Sequence, residues 1–244
     1  GVVVAHGTAT LEETAYFLNL TVKSNKPVVV TGAMRPPSSL GTDADVNLID
    51  AIKVAAAPQS ADRGVLTILN NQIQAARDVT KTNSFRLETF QTSDFGFLGY
   101  ADSDEEVVFY RRPDRAHTIN AEFDISNVEH MPRVDIPFAY AGADGVVIKA
   151  LAEAGVDGLV AAGLGSGGSP PPYMAALKEV SDAGIPVVIA THTGSGRVMQ
   201  TKRFTEAGYI VADNLAPKKA RILLMLALTV TSDKSEIQRM MLTY

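Results

Sequence analysis

The chain has 244 residues, 46% hydrophobic and 20% charged, enough for one large or two modest α/β domains with an ample core. A formal net charge of −5 at pH 7 argues against nucleic acid as a partner, because phosphate binding wants a basic surface. With no cysteine, disulfides and thiolate metal sites are excluded, and no apolar run approaches the length of a membrane span.

Val2-Val3-Val4-Ala5 is too short for a helix and rich in β-branched residues, which predicts a strand buried on both faces. Gly1 runs straight into it, which reads as a chain that starts inside an element, with its true N-terminus upstream. The strand breaks at His6-Gly7. Thr10 and Glu13 have the spacing of a capping box, and Leu11, Ala15, Leu18 and Val22 recur at helical spacing. Strand, glycine turn and helix start together place Thr8 at the carboxyl end of a parallel strand, the edge where α/β sheets bind ligands. Taken alone, the pattern is also that of an ordinary βα turn whose threonines cap a helix.

Pro27–Thr31 predicts a second buried strand, ended by Gly32-Ala33-Met34-Arg35-Pro36-Pro37. Ser38 to Asp45 reads as loop and Asn47 to Ala57 as helix, with Leu48, Ile52 and Ala55 on one face. Gly64–Leu69 is a third strand, and the alternation is that of βαβ units with right-handed crossovers. From Asn70 to Asn83 the character changes: a short strand at Ile73–Ala76, then a polar stretch from Arg77. Gly99–Ala101 and Val107–Tyr110 predict a hairpin around Asp102–Asp104. Pro113 to Pro132 has no period and a proline at each end, so it is read as a linker. The predicted division is a domain at 1–112, a linker at 113–131 and a second domain at 132–244.

The second half restarts the alternation: strand Val134–Tyr140, a helix from Asp144 to Gly155, strand Gly158–Leu164, and a helix from Pro170–Pro172 to Ala183. Strands Pro186–Thr191 and Tyr209–Ala212 follow, then helices Lys218–Thr231 and Ser235–Leu242. Gly163, Gly165 and Gly168 meet the spacing of a dinucleotide fingerprint, but the prolines displace the helix start and no acidic residue ends the next strand. A loop whose backbone approaches a small ligand or a neighbouring subunit fits better. His6, His117, His130 and His192 lack metal-ligand spacing, and Ser166, Ser169 and Ser195 lack a nucleophile elbow, so no metal and no serine triad are expected. His6 reads as packing at a strand end. Lys81 is the best charged candidate, lying among Asp78, Thr80, Thr82 and Asn83. Lone loop lysines are commonly solvated; a partly buried one can activate a hydroxyl, since desolvation favours the neutral amine. A threonine and a lysine on separate strand-end loops suit hydroxyl-based acyl transfer.

His6-Gly7-Thr8-Ala9-Thr10-Leu11-Glu12-Glu13-Thr14-Ala15-Tyr16-Phe17-Leu18 resembles the second signature of type II L-asparaginases and the related glutaminase-asparaginases. Gly32–Pro36, Arg77–Asn83 and Ala216–Arg221 resemble further family segments in the right order, so the similarity spans the whole chain. The resemblance implies an α/β protein with a three-layer, parallel-sheet N-terminal domain and a smaller α/β C-terminal domain. It implies hydrolysis of L-asparagine, and sometimes L-glutamine, to the acid and ammonia by a threonine nucleophile, with no metal or organic cofactor. It further implies a periplasmic or secreted homotetramer, a dimer of dimers whose sites are completed by the neighbour's C-terminal domain.

By position, Thr8 corresponds to the family's second active-site threonine and Lys81 to its catalytic partner, while Thr8, Ala9 and the Ala33 carbonyl face the substrate. The Gly165–Ser169 loop takes the place from which the neighbour reaches in. Two departures count against full activity. The family's T-G-G-T-I segment with the primary nucleophile is absent. The aspartate that follows the second threonine, which would accept the substrate's ammonium and hold the lysine, is Ala9 here. The resemblance therefore implies an impaired amidohydrolase, with a non-catalytic homologue that binds small amino acids as the alternative.

Overall fold

Successive strand side chains face opposite ways, and the inner strands of the first half are apolar on both counts, so each needs a cover on either face. A computed structural model, describing residues 1–244, shows how the chain supplies it. Contacts divide the chain into two units of equal length, Gly1–Glu122 and Phe123–Tyr244. The boundary falls inside the stretch predicted as a linker. That stretch is itself anchored, with His117, Thr118 and Ala121 buried in the first unit and Phe123 in the second.

The first unit runs β1 (Val2–Ala5), α1 (Leu11–Thr21), β2 (Val28–Thr31), α2 (Ala44–Ala56), β3 (Val65–Leu69), β4 (Gln72–Ala75), β5 (Thr80–Lys81), β6 (Phe90–Gln91), β7 (Gly99–Ala101) and β8 (Val107–Phe109). The main sheet has the order β1-β2-β3-β4-β7-β8, parallel through β3 and antiparallel from there. The reversal occurs at Asn70-Asn71, both with positive φ (51° and 62°), as a two-residue hairpin of mirror-image type requires. Val28, Val30, Val65 and Leu69 face Leu11 and Ala15 of α1. Val29, Leu66 and Ile68 face Ala51, Val54 and Ala55 of α2. Helix, sheet and helix make three layers.

Three local expectations are corrected. β1 is not buried on both faces: it is the edge strand, and Val2 is 52% exposed. The face of α2 is rotated, leaving Leu48 and Ile52 in solvent and burying Asn47 and Asp50. Its cause is polar: the Asn47 amide donates to the Gly32 carbonyl at 2.9 Å and to Asp43 Oδ2 at 2.8 Å, and its oxygen accepts the Asn70 amide at 3.0 Å. A buried amide with three partners would leave each of them unsatisfied if the helix turned about its axis, which holds this face inward. Finally, Thr10 does precede α1, but its side chain makes no capping bond, because φ −123° and ψ 14° turn the hydroxyl away from the first amides.

The second unit runs β9 (Val134–Asp135), α3 (Val146–Glu153), β10 (Gly158–Gly163), α4 (Pro171–Asp182), β11 (Val187–Thr191), α5 (Lys202–Glu206), β12 (Ile210–Val211), α6 (Pro217–Ala227) and α7 (Lys234–Thr243). Its sheet is wholly parallel, in the order β12-β11-β10-β9. The strand predicted at Val134–Tyr140 stops after Asp135, since Pro137 has no N–H for the ladder, and pairing resumes only at Phe138 opposite Ala162. The Gly163–Gly168 turn is closed on itself: the Leu164 amide donates to the Gly168 carbonyl at 2.7 Å and the Gly167 amide to the Leu164 carbonyl at 2.9 Å. A side chain on Gly167, at φ 96°, would meet Ile189 and Val198. A β-carbon on Gly163 would collide with the backbone of Gly167, so close packing accounts for Gly163 and Gly167, while Gly165 holds a positive φ of 49°. No helix is long and apolar enough to cross a membrane.

His117 gives the first unit a pH dependence. It is 8% exposed, and burial, reinforced by Arg112 and opposed by Asp62, pushes its pKa below the ordinary 6.5. The unfolded chain therefore takes up a proton first as the pH falls, and stability is lost from about pH 6.5 downward through the folded-state value, by at most about 1.4 kcal/mol per pH unit. Thermal melts of wild type and His117→Gln between about pH 7.5 and 5.5 should converge or cross as the wild type loses this increment. Parallel curves would remove His117 from the account.

Candidate active site

The turn from β1 to α1 carries Thr8, and several bonds set its path. The His6 amide donates to the Thr31 carbonyl at 2.8 Å, and the His6 ring joins the Gly7 carbonyl at 2.7 Å and the Thr14 hydroxyl at 3.0 Å. His6 is thus a strand-end packing residue, as its sequence context suggested. Gly32, at the end of β2, lies against this turn: a β-carbon there would collide with the His6 carbonyl oxygen and sit 3.2 Å from Thr8 Cγ2. Only glycine lets the two strand-end loops approach this closely.

Lys81 lies on β5, which pairs with β6 through Thr80 opposite Gln91 and Lys81 opposite Phe90. Three bonds pin that hairpin. The Gln74 amide reaches the Phe90 carbonyl at 2.5 Å, the Thr82 amide the Thr89 carbonyl at 2.8 Å, and the Asn83 amide the Thr89 hydroxyl at 2.7 Å. From this platform Lys81 Nζ donates to Thr8 Oγ1 at 2.8 Å across 73 positions of sequence. Both residues are half-buried. The two residues predicted to share chemistry therefore meet.

Ala9 is exposed beside Thr8, and Ala33 is half-buried in the loop that follows β2. Asp43, which sequence reading passed over, shapes that loop: its carboxylate accepts the amides of Met34 at 3.0 Å and Arg35 at 2.9 Å. Glu12 was also missed. It is 1% exposed, and it accepts the Thr80 hydroxyl at 2.5 Å and the Lys81 amide at 3.1 Å. A signal for it existed, because Glu12 and Asn19 fall on the buried stripe with Leu11, Ala15, Tyr16 and Leu20. No three His, Cys, Asp or Glu side chains lie together as a metal site would require.

A hydroxyl in direct hydrogen-bond contact with a lysine amine has the geometry through which a nucleophile or a water can be activated. An ammonium donating to the threonine oxygen also stabilises negative charge that develops there.

Comparison with known proteins places the chain in a family. Residues 1–115 match the family profile described as "Asparaginase, N-terminal", and residues 133–241 match "Glutaminase/Asparaginase C-terminal domain". L-asparaginase 2 of Bacillus subtilis is 43% identical over 98% of the chain, which spans 63% of that protein's length. L-asparaginase 2 of Escherichia coli is 42% identical over the whole chain, which spans 70% of its length. The crystal structure of the probable cytoplasmic L-asparaginase from Campylobacter jejuni superposes with a TM-score of 0.98 at 44% identity, covering all of this chain and 78% of that one. With both halves matched and this identity sustained along its length, the chain belongs to the asparaginase family.

Proposed function

We propose that the chain carries the Thr8–Lys81 part of an amidohydrolase site that converts L-asparagine, with L-glutamine as the candidate second substrate, with water to the acid and ammonia. One observation carries the reading: the 2.8 Å contact between Lys81 Nζ and Thr8 Oγ1 on the ligand-binding edge of the sheet. Thr8 and Lys81 are the catalytic residues, and Thr8, Ala9 and the Ala33 carbonyl face the substrate. The chemistry needs no metal or organic cofactor, since the hydroxyl and amine pair takes the proton of the attacking group and water supplies the oxygen of the product acid. The assembly is a homotetramer, each site completed by a neighbour's second unit.

The test is coupled measurement of ammonia and aspartate from L-asparagine. Equal yields, insensitive to a chelator, together with a four-chain species by native mass spectrometry, support the proposal. Ammonia release abolished by chelation would overturn it. Ala9 favours one second reading, a family member that binds amino acids without turning them over. Heat of L-asparagine binding with no product formed would select it.

A further inference from the structure

The geometry points to Glu12 as the positioning residue of this site: it fixes the backbone of Lys81 so that the lysine's far end meets Thr8. The inference rests on the Thr8–Lys81 reading and deepens it. β5 is only two residues long and belongs to a two-stranded ribbon outside the main sheet, so no ladder ties it to the turn that carries Thr8. Glu12 makes that tie. Its two oxygens take the Thr80 hydroxyl at 2.5 Å and the Lys81 amide at 3.1 Å, reaching 68 and 69 positions along the chain. Thr8 and Glu12 stand four residues apart on one turn and first helical coil, so a single short stretch holds Lys81 at both ends: backbone by the carboxylate, Nζ by the hydroxyl.

Burial explains why this grip is firm. A carboxylate that is 1% exposed needs its hydrogen bonds, and so do the groups that give them. The positive end of α1 favours a negative charge in its first turn, where Glu12 sits. Glu12 acts through Lys81, and its contribution is orientation.

Two variants test this. Glutamine can accept the Lys81 amide through its oxygen and donate to Thr80, whose hydroxyl serves as acceptor as readily as donor. Glu12→Gln should therefore keep kcat within about threefold of wild type, since the geometry is retained. Glu12→Ala removes the tie. It should lower kcat roughly 10²-fold with KM changed by less than about twofold, as misplacement of a catalytic group by an ångström does. In parallel, the Lys81 amide should exchange with deuterium at least about tenfold faster, and Lys81 Nζ should acetylate about fivefold faster than wild type while exposed Lys149 is unchanged. Where Glu12→Ala melts early, Thr80→Val, which deletes one of the two bonds, should give intermediate values of each quantity.

Unchanged exchange and acetylation of Lys81 in Glu12→Ala would overturn the inference. So would Glu12→Gln proving as damaging as Glu12→Ala. The exchange and acetylation readouts do not depend on turnover. A Lys81 that loosens in a chain releasing no ammonia upholds the positioning role and sinks the amidase reading instead.

Discussion

Lys81→Met is expected to cut ammonia release from L-asparagine by roughly 10³-fold, the scale of losing a positioned proton-transfer group. Methionine keeps the length and apolar stem of lysine and removes only the amine. The bond lost is the one to Thr8 Oγ1 at 2.8 Å, on a half-buried side chain, so folding should fall by no more than about 1.5 kcal/mol. Thr8→Val should cost a similar factor, for it removes the other end of the same contact. The double variant should be scarcely worse than either single one, because residues that act as a unit are grossly non-additive. The measurement is kcat/KM for the three variants beside their melting curves, in the Ala9→Asp background where basal release is too slow to follow. Retention of more than about a tenth of the activity by Lys81→Met would end the hydroxyl–amine account.

The parts of this molecule that could be read from sequence are those that local chemistry dictates. Valine-rich runs such as Val28–Thr31 and Val65–Leu69 are strands because both faces are covered, and Gly155, at φ 76°, ends α3 where the pattern stopped. The elements that escaped are those set by distant partners. The axial rotation of α2 is decided by Asn47 reaching Gly32, Asp43 and Asn70, none of which is a neighbour on the helix. The choice between the two acids of the first turn of α1 has the same origin. Glu12 and Glu13 are indistinguishable in a helix's first turn until one of them is turned inward by Thr80 and Lys81. The meeting of Thr8 with Lys81 was likewise legible only through family resemblance, since 73 positions of sequence carry no distance. Apolar periodicity finds the layers, whereas the buried polar contacts that aim the site leave only a faint trace, an acid and an amide on an otherwise apolar stripe.

Ala9→Asp should raise kcat/KM for L-asparagine by about 10²-fold, from two charge-assisted hydrogen bonds each worth about 1.5–3 kcal/mol before the cost of ordering them. The family resemblance implies aspartate after the second threonine, and position 9 is exposed on the turn that presents Thr8. One carboxylate there can receive the substrate's ammonium and, from its other oxygen, the ammonium of Lys81. The first bond forms in the ground state and should lower KM. The second steadies Lys81 against Thr8 as charge moves, and should raise kcat. The fold has no reason to object: the site is solvent-facing, and an acid just ahead of α1 meets the helix's positive end, so the melting temperature should hold or rise slightly. Adding Lys81→Met to Ala9→Asp should erase the kcat gain and leave the KM gain, which separates the two roles. If kcat and KM both stay where Ala9 leaves them, the carboxylate has no partner at this turn. Thr8 and Lys81 would then be a structural contact of a homologue that binds its ligand without cleaving it.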